Sequence, residues 1–89
     1  MTLTQINGLI EQNSLEEALK ELDALIGSEG ESAEVLFVRG KVHWRLGHRS
    51  QATSDYAASA SLDPDGPAVQ ALEQARAVEA FFNPDLLNP

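Results

Sequence analysis

The sequence predicts an all-α fold of two antiparallel helical hairpins followed by a capping helix. Three observations predict it. The chain matches itself without a gap at an offset of 34 residues, so that Leu9, Ile10, Asn13, Ala18 and Leu22 recur as His43, Trp44, Gly47, Ala52 and Tyr56. Apolar residues hold helical spacing over five stretches. Turn residues separate those stretches at Asn13, Gly27-Ser28-Glu29-Gly30, Gly47 and Asp63-Pro64-Asp65-Gly66-Pro67. A fixed period of this length marks a repeat protein, whose units bury their apolar faces only against neighbours.

Taken in order, the first helix is expected from about Thr4 to Gln12, with Ile6, Leu9 and Ile10 on one face and Gly8 weakening its interior. Asn13 breaks it. Ser14 followed by Glu17 has the pattern of a capping box, which opens a second helix with the buried stripe Leu15, Ala18, Leu19, Leu22, Leu25 and Ile26. Gly27 to Gly30 closes that helix. Ser32 is placed to cap a third, reaching Leu46 before Gly47. The fourth runs from about Arg49 to Leu62. Asp63 to Pro67 stops it and restarts the chain, because proline disfavours helical geometry before it and suits the first turn after it. The alanine-rich fifth helix extends from about residue 67 to 82. The expected organisation is one domain over 1–82, with hairpins at about 1–27 and 33–62, and an apolar tail at 83–89.

A chain of 89 residues supports a single small core. It has no cysteine, so disulfides and thiolate metal sites are excluded. The first residues show no basic segment leading into an apolar core, and the longest apolar run, Val35 to Val38, is too short for a bilayer. A soluble cytoplasmic protein is expected. The formal net charge is −8, yet Arg39, Lys41, Arg45 and Arg49 lie together with both histidines and no acid between 39 and 49. The rest of the chain has two basic residues against fourteen acidic ones. Such a balance disfavours nucleic acid, whose non-specific binding depends on Lys and Arg at phosphates. The basic stretch either offsets the acidic helix from Glu16 to Asp23 or meets a partner.

On these residues the segment from Ala33 to Gly66 resembles a tetratricopeptide repeat: Leu36, Arg39-Gly40, His43, Ala52, Tyr56 and Leu62-Asp63-Pro64 fall in register with its signature. Gly40 and Ala52 occupy the place where two helices approach closely, and Tyr56 fills the space beside them. The first copy is divergent. It keeps Leu9, Ala18 and Leu22 but has Ile6 for the glycine and Gly30 for the proline. The resemblance is to a small stand-alone bacterial two-repeat protein with a C-terminal capping helix, and it implies a fragment of a right-handed α-solenoid. Arg39 stands where the family prefers an apolar residue, so it requires either a carboxylate partner or an apolar stem with an exposed head. Ser59 stands where the family prefers alanine, a change small enough to need no explanation.

The resemblance implies that the first helix of each hairpin lines a groove. Phe37, Lys41, Trp44 and Arg45 share one side of the third helix, and subtracting 34 gives Leu3, Asn7, Ile10 and Glu11. Apolar anchors beside a Lys-Arg pair suit a peptide with acidic groups. The carboxylate clamp of chaperone-binding members is not matched: only Asn7 fits, so chaperone tails are not expected as ligands. Aromatics at helical spacing are more often core than ligand anchors, so Phe37 and Trp44 are read first as packed. The tail offers something to pack there, since Phe81, Phe82, Leu86 and Leu87 make it apolar. It can fold back, cross to a second subunit in a homodimer, or engage a separate receptor.

No enzyme signature is present, neither a glycine-rich phosphate loop nor a serine-centred elbow. His43 and His48 are five apart, which does not place both on one helix face as zinc ligands require. His43 is read as structural, and no metal or cofactor is expected. The function expected from sequence is a non-enzymatic adaptor or scaffold binding an unidentified protein or peptide, as monomer or homodimer, with no nucleic acid or membrane. The alternative is a self-associating subunit whose groove is filled by its own or a neighbour's tail.

Overall fold

The structure, a computed structural model, describes residues 1–82 and the side chains of residues 1–80. The described residues form five α-helices: α1 (Leu3–Glu11), α2 (Leu15–Glu29), α3 (Ala33–Arg45), α4 (Arg49–Leu62) and α5 (Pro67–Phe82). Among the described residues there is no strand. Each helix packs principally on the next in the chain, the nearest-neighbour pattern of stacked repeats. The all-α fold of packed helical hairpins is as the sequence predicts.

The turns that close α1 and α3 are built alike, as the 34-residue offset requires. Asn13 has φ 63° and Gly47 φ 84°. In the first turn the N–H of Ser14 donates to Leu9 O at 2.9 Å; in the second, His48 N–H donates to His43 O at 2.8 Å. This six-to-one bond is the Schellman closure, and it folds the second residue after the helix back over the last turn. Asparagine tolerates the left-handed conformation better than most side chains.

That closure corrects the expected capping box at Ser14 and Glu17. Ser14 is the N-cap of α2 but makes no side-chain cap bond, its ψ being 64°. The same residue ends the turn after α1, and the backbone required there turns its hydroxyl away from the α2 amides. A capping box is found instead at Thr2 and Gln5, where Thr2 Oγ1 accepts from Gln5 N–H and Gln5 Oε1 accepts from Thr2 N–H. Ser32 caps α3 as expected, accepting from Val35 N–H at 3.2 Å. α2 runs through Gly27 and stops at Gly30, where φ is 85°.

Two apolar clusters meet on α3. Val35, Val38 and Val42 join Ile6 of α1 with Ala18 and Leu22 of α2. On another side of the same helix, Phe37 and Trp44 join Ala52 and Tyr56 of α4 with Ala71, Leu72 and Ala75 of α5. Ile6, Leu22, Leu36 and Val42 are fully buried, and each such side chain contributes about 1.5–3 kcal/mol of transfer free energy. Helix α3 is therefore the spine of the fold, which explains its apolar character on two sides.

The close approach predicted at Gly40 is present. A Cβ there would lie 2.7 and 2.8 Å from ring carbons of Tyr56 and 3.3 Å from the carbonyl oxygen of Ala52. Ser59, which the sequence treats as unremarkable, is buried and donates its hydroxyl to Ala33 O at 2.6 Å. It ties α4 to the first turn of α3.

Candidate functional site

Two arginines of the basic stretch, Arg39 and Arg45, are used internally. Arg39 extends from α3 to α4, where Nε donates to one oxygen of Asp55 at 2.8 Å and Nη2 to the other at 2.7 Å. Nη1 donates to Asp23 of α2 at 2.9 Å. Asp55 is a buried carboxylate, 5% exposed, so this bidentate pair supplies the partner that the Arg39 position demands. Hydrogen bonding to Asp55 is the main reason the guanidinium holds its proton even more firmly than an ordinary arginine. Arg45, on a neighbouring face, donates from Nη2 to Asn13 Oδ1 at 3.0 Å.

The row proposed from helical spacing is thereby divided. Arg45 turns towards the α1–α2 turn, while Phe37 and Trp44 turn towards α4 and α5. Phe37 stacks in a tilted arrangement on Tyr56, centroids 5.9 Å apart. Leu3 and Ile10 pack against the first apolar cluster, and Asn7 and Glu11 are exposed on α1. Lys41 lies between the two directions, its Nζ 4.9 Å from the centroid of the Phe37 ring. The expectations for Phe81, Phe82, Leu86 and Leu87 as tail contacts lie outside the described residues and side chains.

A cleft of about 230 Å³ opens beside Trp44, lined by Trp44, Tyr56, Ala71, Gln74, Ala75 and Val78. Its floor is the second apolar cluster, and one wall is α5. Arg49 stands over the Trp44 ring at 5.4 Å, so cationic heads border the two aromatic residues of α3. Burial raises the Tyr56 phenol above its ordinary pKa, with a smaller contribution from the Asp55 charge. The α5 residues of this cleft were missed by sequence reasoning, although a signal was available. Adding 34 to Phe37, Lys41 and Trp44 gives Ala71, Ala75 and Val78, the same face one unit further along.

The turn between α3 and α4 holds a second grouping. His43 Nδ1 lies 3.1 Å from His48 Nδ1, and His43 Nε2 lies 3.9 Å from an Asp55 oxygen. A spacing of five separates two rings only on a continuous helix. The Schellman turn after α3 brings residue 48 back over residue 43. Desolvation is the principal cause that lowers the pKa of His43, with the Asp55 charge opposing it. Among the described residues, no three or more His, Cys, Asp or Glu side chains converge as a metal cluster. No helix among them is long and apolar enough to cross a membrane.

No protein-family model matches the chain. The cell division cycle protein 27 homolog of Caenorhabditis elegans is 40% identical over 58 residues, which are 65% of this chain. The chain spans only 7% of the length of that curated relative. Among solved structures, the Bacteroides fragilis protein BF1650, determined by solution NMR, is similar with a TM-score of 0.83 and 30% identity. That match covers 98% of this chain and 89% of the Bacteroides protein. With the helical packing described above, these likenesses support a helical-repeat protein.

Proposed function

We propose that this chain, which belongs to the same family as the Bacteroides fragilis protein BF1650, is a tetratricopeptide-type adaptor that takes a segment of another protein along the face formed by α3 and α5. The similarity to a tetratricopeptide-containing protein favours an interaction role, and the cleft gives that role a place. The observation that carries the reading is the apolar cleft at Trp44 and Val78 with Lys41 and Arg49 over the neighbouring aromatic rings. Apolar anchors then supply affinity, and the cations select a segment with acidic groups beside its anchor. No catalytic group is assigned.

The test uses the chain's single tryptophan, Trp44, as a fluorescent reporter during titration with peptides that carry one aromatic or leucine anchor and two or three acids. Binding should move Trp44 emission, and Lys41→Glu should weaken it about five- to tenfold while leaving the helical circular dichroism unchanged. Peptides that leave Trp44 and the α5 amides unmoved would remove this reading.

One observation favours a second reading, self-association or self-filling by the tail. The cleft runs along α5 to Val78, one turn before α5 ends at Phe82, so it lies close to the end of the last described helix. Comparing the full chain with one ending at Phe82 separates the cases. Perturbed Trp44 amides at unchanged hydrodynamic size mean self-filling, a smaller particle after truncation means exchange between subunits, and no response leaves the cleft for a separate partner.

A further inference from the structure

The pair His43 and His48 lies outside the α3–α5 cleft and has no part in the reading above. The two rings meet Nδ1 to Nδ1 across a hydrogen-bond distance, with centroids 5.3 Å apart, so one imidazole donates to the other until an ion takes the place of the shared hydrogen. A neutral imidazole carries one N–H, and which nitrogen bears it is set by what the other faces. His43 Nε2 faces the buried Asp55 carboxylate at 3.9 Å, which favours the hydrogen there and leaves the Nδ1 lone pair directed at His48. At 3.9 Å this is an attraction of charge and not a hydrogen bond, since both Asp55 oxygens accept from Arg39. The two Nδ1 atoms are 3.1 Å apart. Two ligands on adjacent positions of one ion, with bonds of about 2.0–2.1 Å, stand roughly that far apart.

We infer that His43 and His48 form a two-imidazole chelate for one borderline divalent transition-metal ion, Zn²⁺, Ni²⁺ or Cu²⁺, with water completing its coordination. Imidazole nitrogens suit these ions and not Mg²⁺ or Ca²⁺, which require oxygen ligands. His48 is exposed, so the ion has an approach from solvent. The surrounding charge permits it: Arg39 is bridged by both Asp55 and Asp23, so that group of three carries a net negative charge. The backbone bond from His48 N–H to His43 O fixes the relative position of the two residues before any ion arrives, which lowers the ordering cost of chelation. On binding, the hydrogen shared between the two Nδ1 atoms moves to Nε2 of His48, and both rings ligate in their neutral form.

The experiment titrates the full chain with Zn²⁺ at neutral pH by calorimetry, in parallel with imidazole nitrogen NMR, and repeats it for His48→Gln and His43→Gln. Expected are one equivalent bound, movement of both Nδ1 resonances, no competition from excess Mg²⁺, and at least a tenfold loss in either variant. His48 is exposed and makes no side-chain cap bond to α4, so His48→Gln keeps the fold even if His43→Gln does not. Unchanged affinity in His48→Gln, imidazole resonances that stay still while zinc binds, displacement by Mg²⁺, or no saturable binding would each overturn the chelate.

Discussion

Arg39, in the middle of α3, and Asp55, in the middle of α4, form a fork-to-fork pair with both carboxylate oxygens engaged, at 2.8 and 2.7 Å. The Arg39 side chain is 22% exposed and the Asp55 side chain 7%. The pair is thus solvated from one side only, and its two members are not equivalent. Removing the carboxylate leaves a guanidinium largely inside the protein, supported by Asp23 alone, whose side chain is 58% exposed.

Asp55→Asn is therefore expected to destabilise by about 2–3 kcal/mol, below the full cost of breaking a buried pair because the Arg39 head can reach water. Asp23→Asn should cost about 0–1 kcal/mol, the range for an exposed partner. Urea unfolding of both variants checks the contrast. Equal losses would mean that the two carboxylates share the guanidinium evenly.

Gly40→Ala places a methyl 2.7 Å from the Tyr56 ring. Helix propensity favours alanine by about 1 kcal/mol, but overpacking of this kind costs about 1–3 kcal/mol and more where the neighbour cannot move. The expected net effect is destabilisation. Gly8 is the internal control, since a Cβ there meets nothing within 4 Å. Gly8→Ala should stabilise by about 0.5–1 kcal/mol, and thermal melts of the two variants should shift in opposite directions.

Ser59→Ala removes the bond to Ala33 O without changing shape. A loss of about 1 kcal/mol is expected, read as a lower urea midpoint at unchanged slope. No change would mean that the buried hydroxyl contributes nothing net.

Tyr56 is the single tyrosine of the chain, so its ionisation can be followed alone by ultraviolet absorbance. Burial raises its pKa in the folded state above the ordinary value of 10.0. The unfolded chain then releases this proton first as pH rises. The corresponding stability is fully present below pH 10 and declines as pH climbs from there through the folded pKa. A normal tyrosine titration in the folded protein would contradict this placement of the ring.

Local chemistry wrote much of the fold into the sequence. Asn13 and Gly47 stop their helices where the left-handed conformation is tolerated, Ser32 and Pro67 start theirs, and Gly40, Ala52 and Tyr56 mark the close approach of α3 to α4. Each depends on a few neighbouring residues, and the 34-residue offset carries the pattern from one unit to the next. The same offset contained the α5 wall of the cleft, at Ala71, Ala75 and Val78.

Tertiary structure decided what depends on direction across helices. Spacing placed Phe37, Lys41, Trp44 and Arg45 on one side of α3, but only the packed neighbours on either flank sent Trp44 to α5 and Arg45 to Asn13. Ser14 and Glu17 had the pattern of a capping box, and the turn closing α1 set the Ser14 backbone otherwise. The choice of Asp55 for Arg39, the burial of Ser59 against Ala33, and the meeting of His43 with His48 all join groups whose separation is fixed by how one helix or turn folds onto another. Sequence periodicity describes a helix by itself; these contacts are properties of pairs.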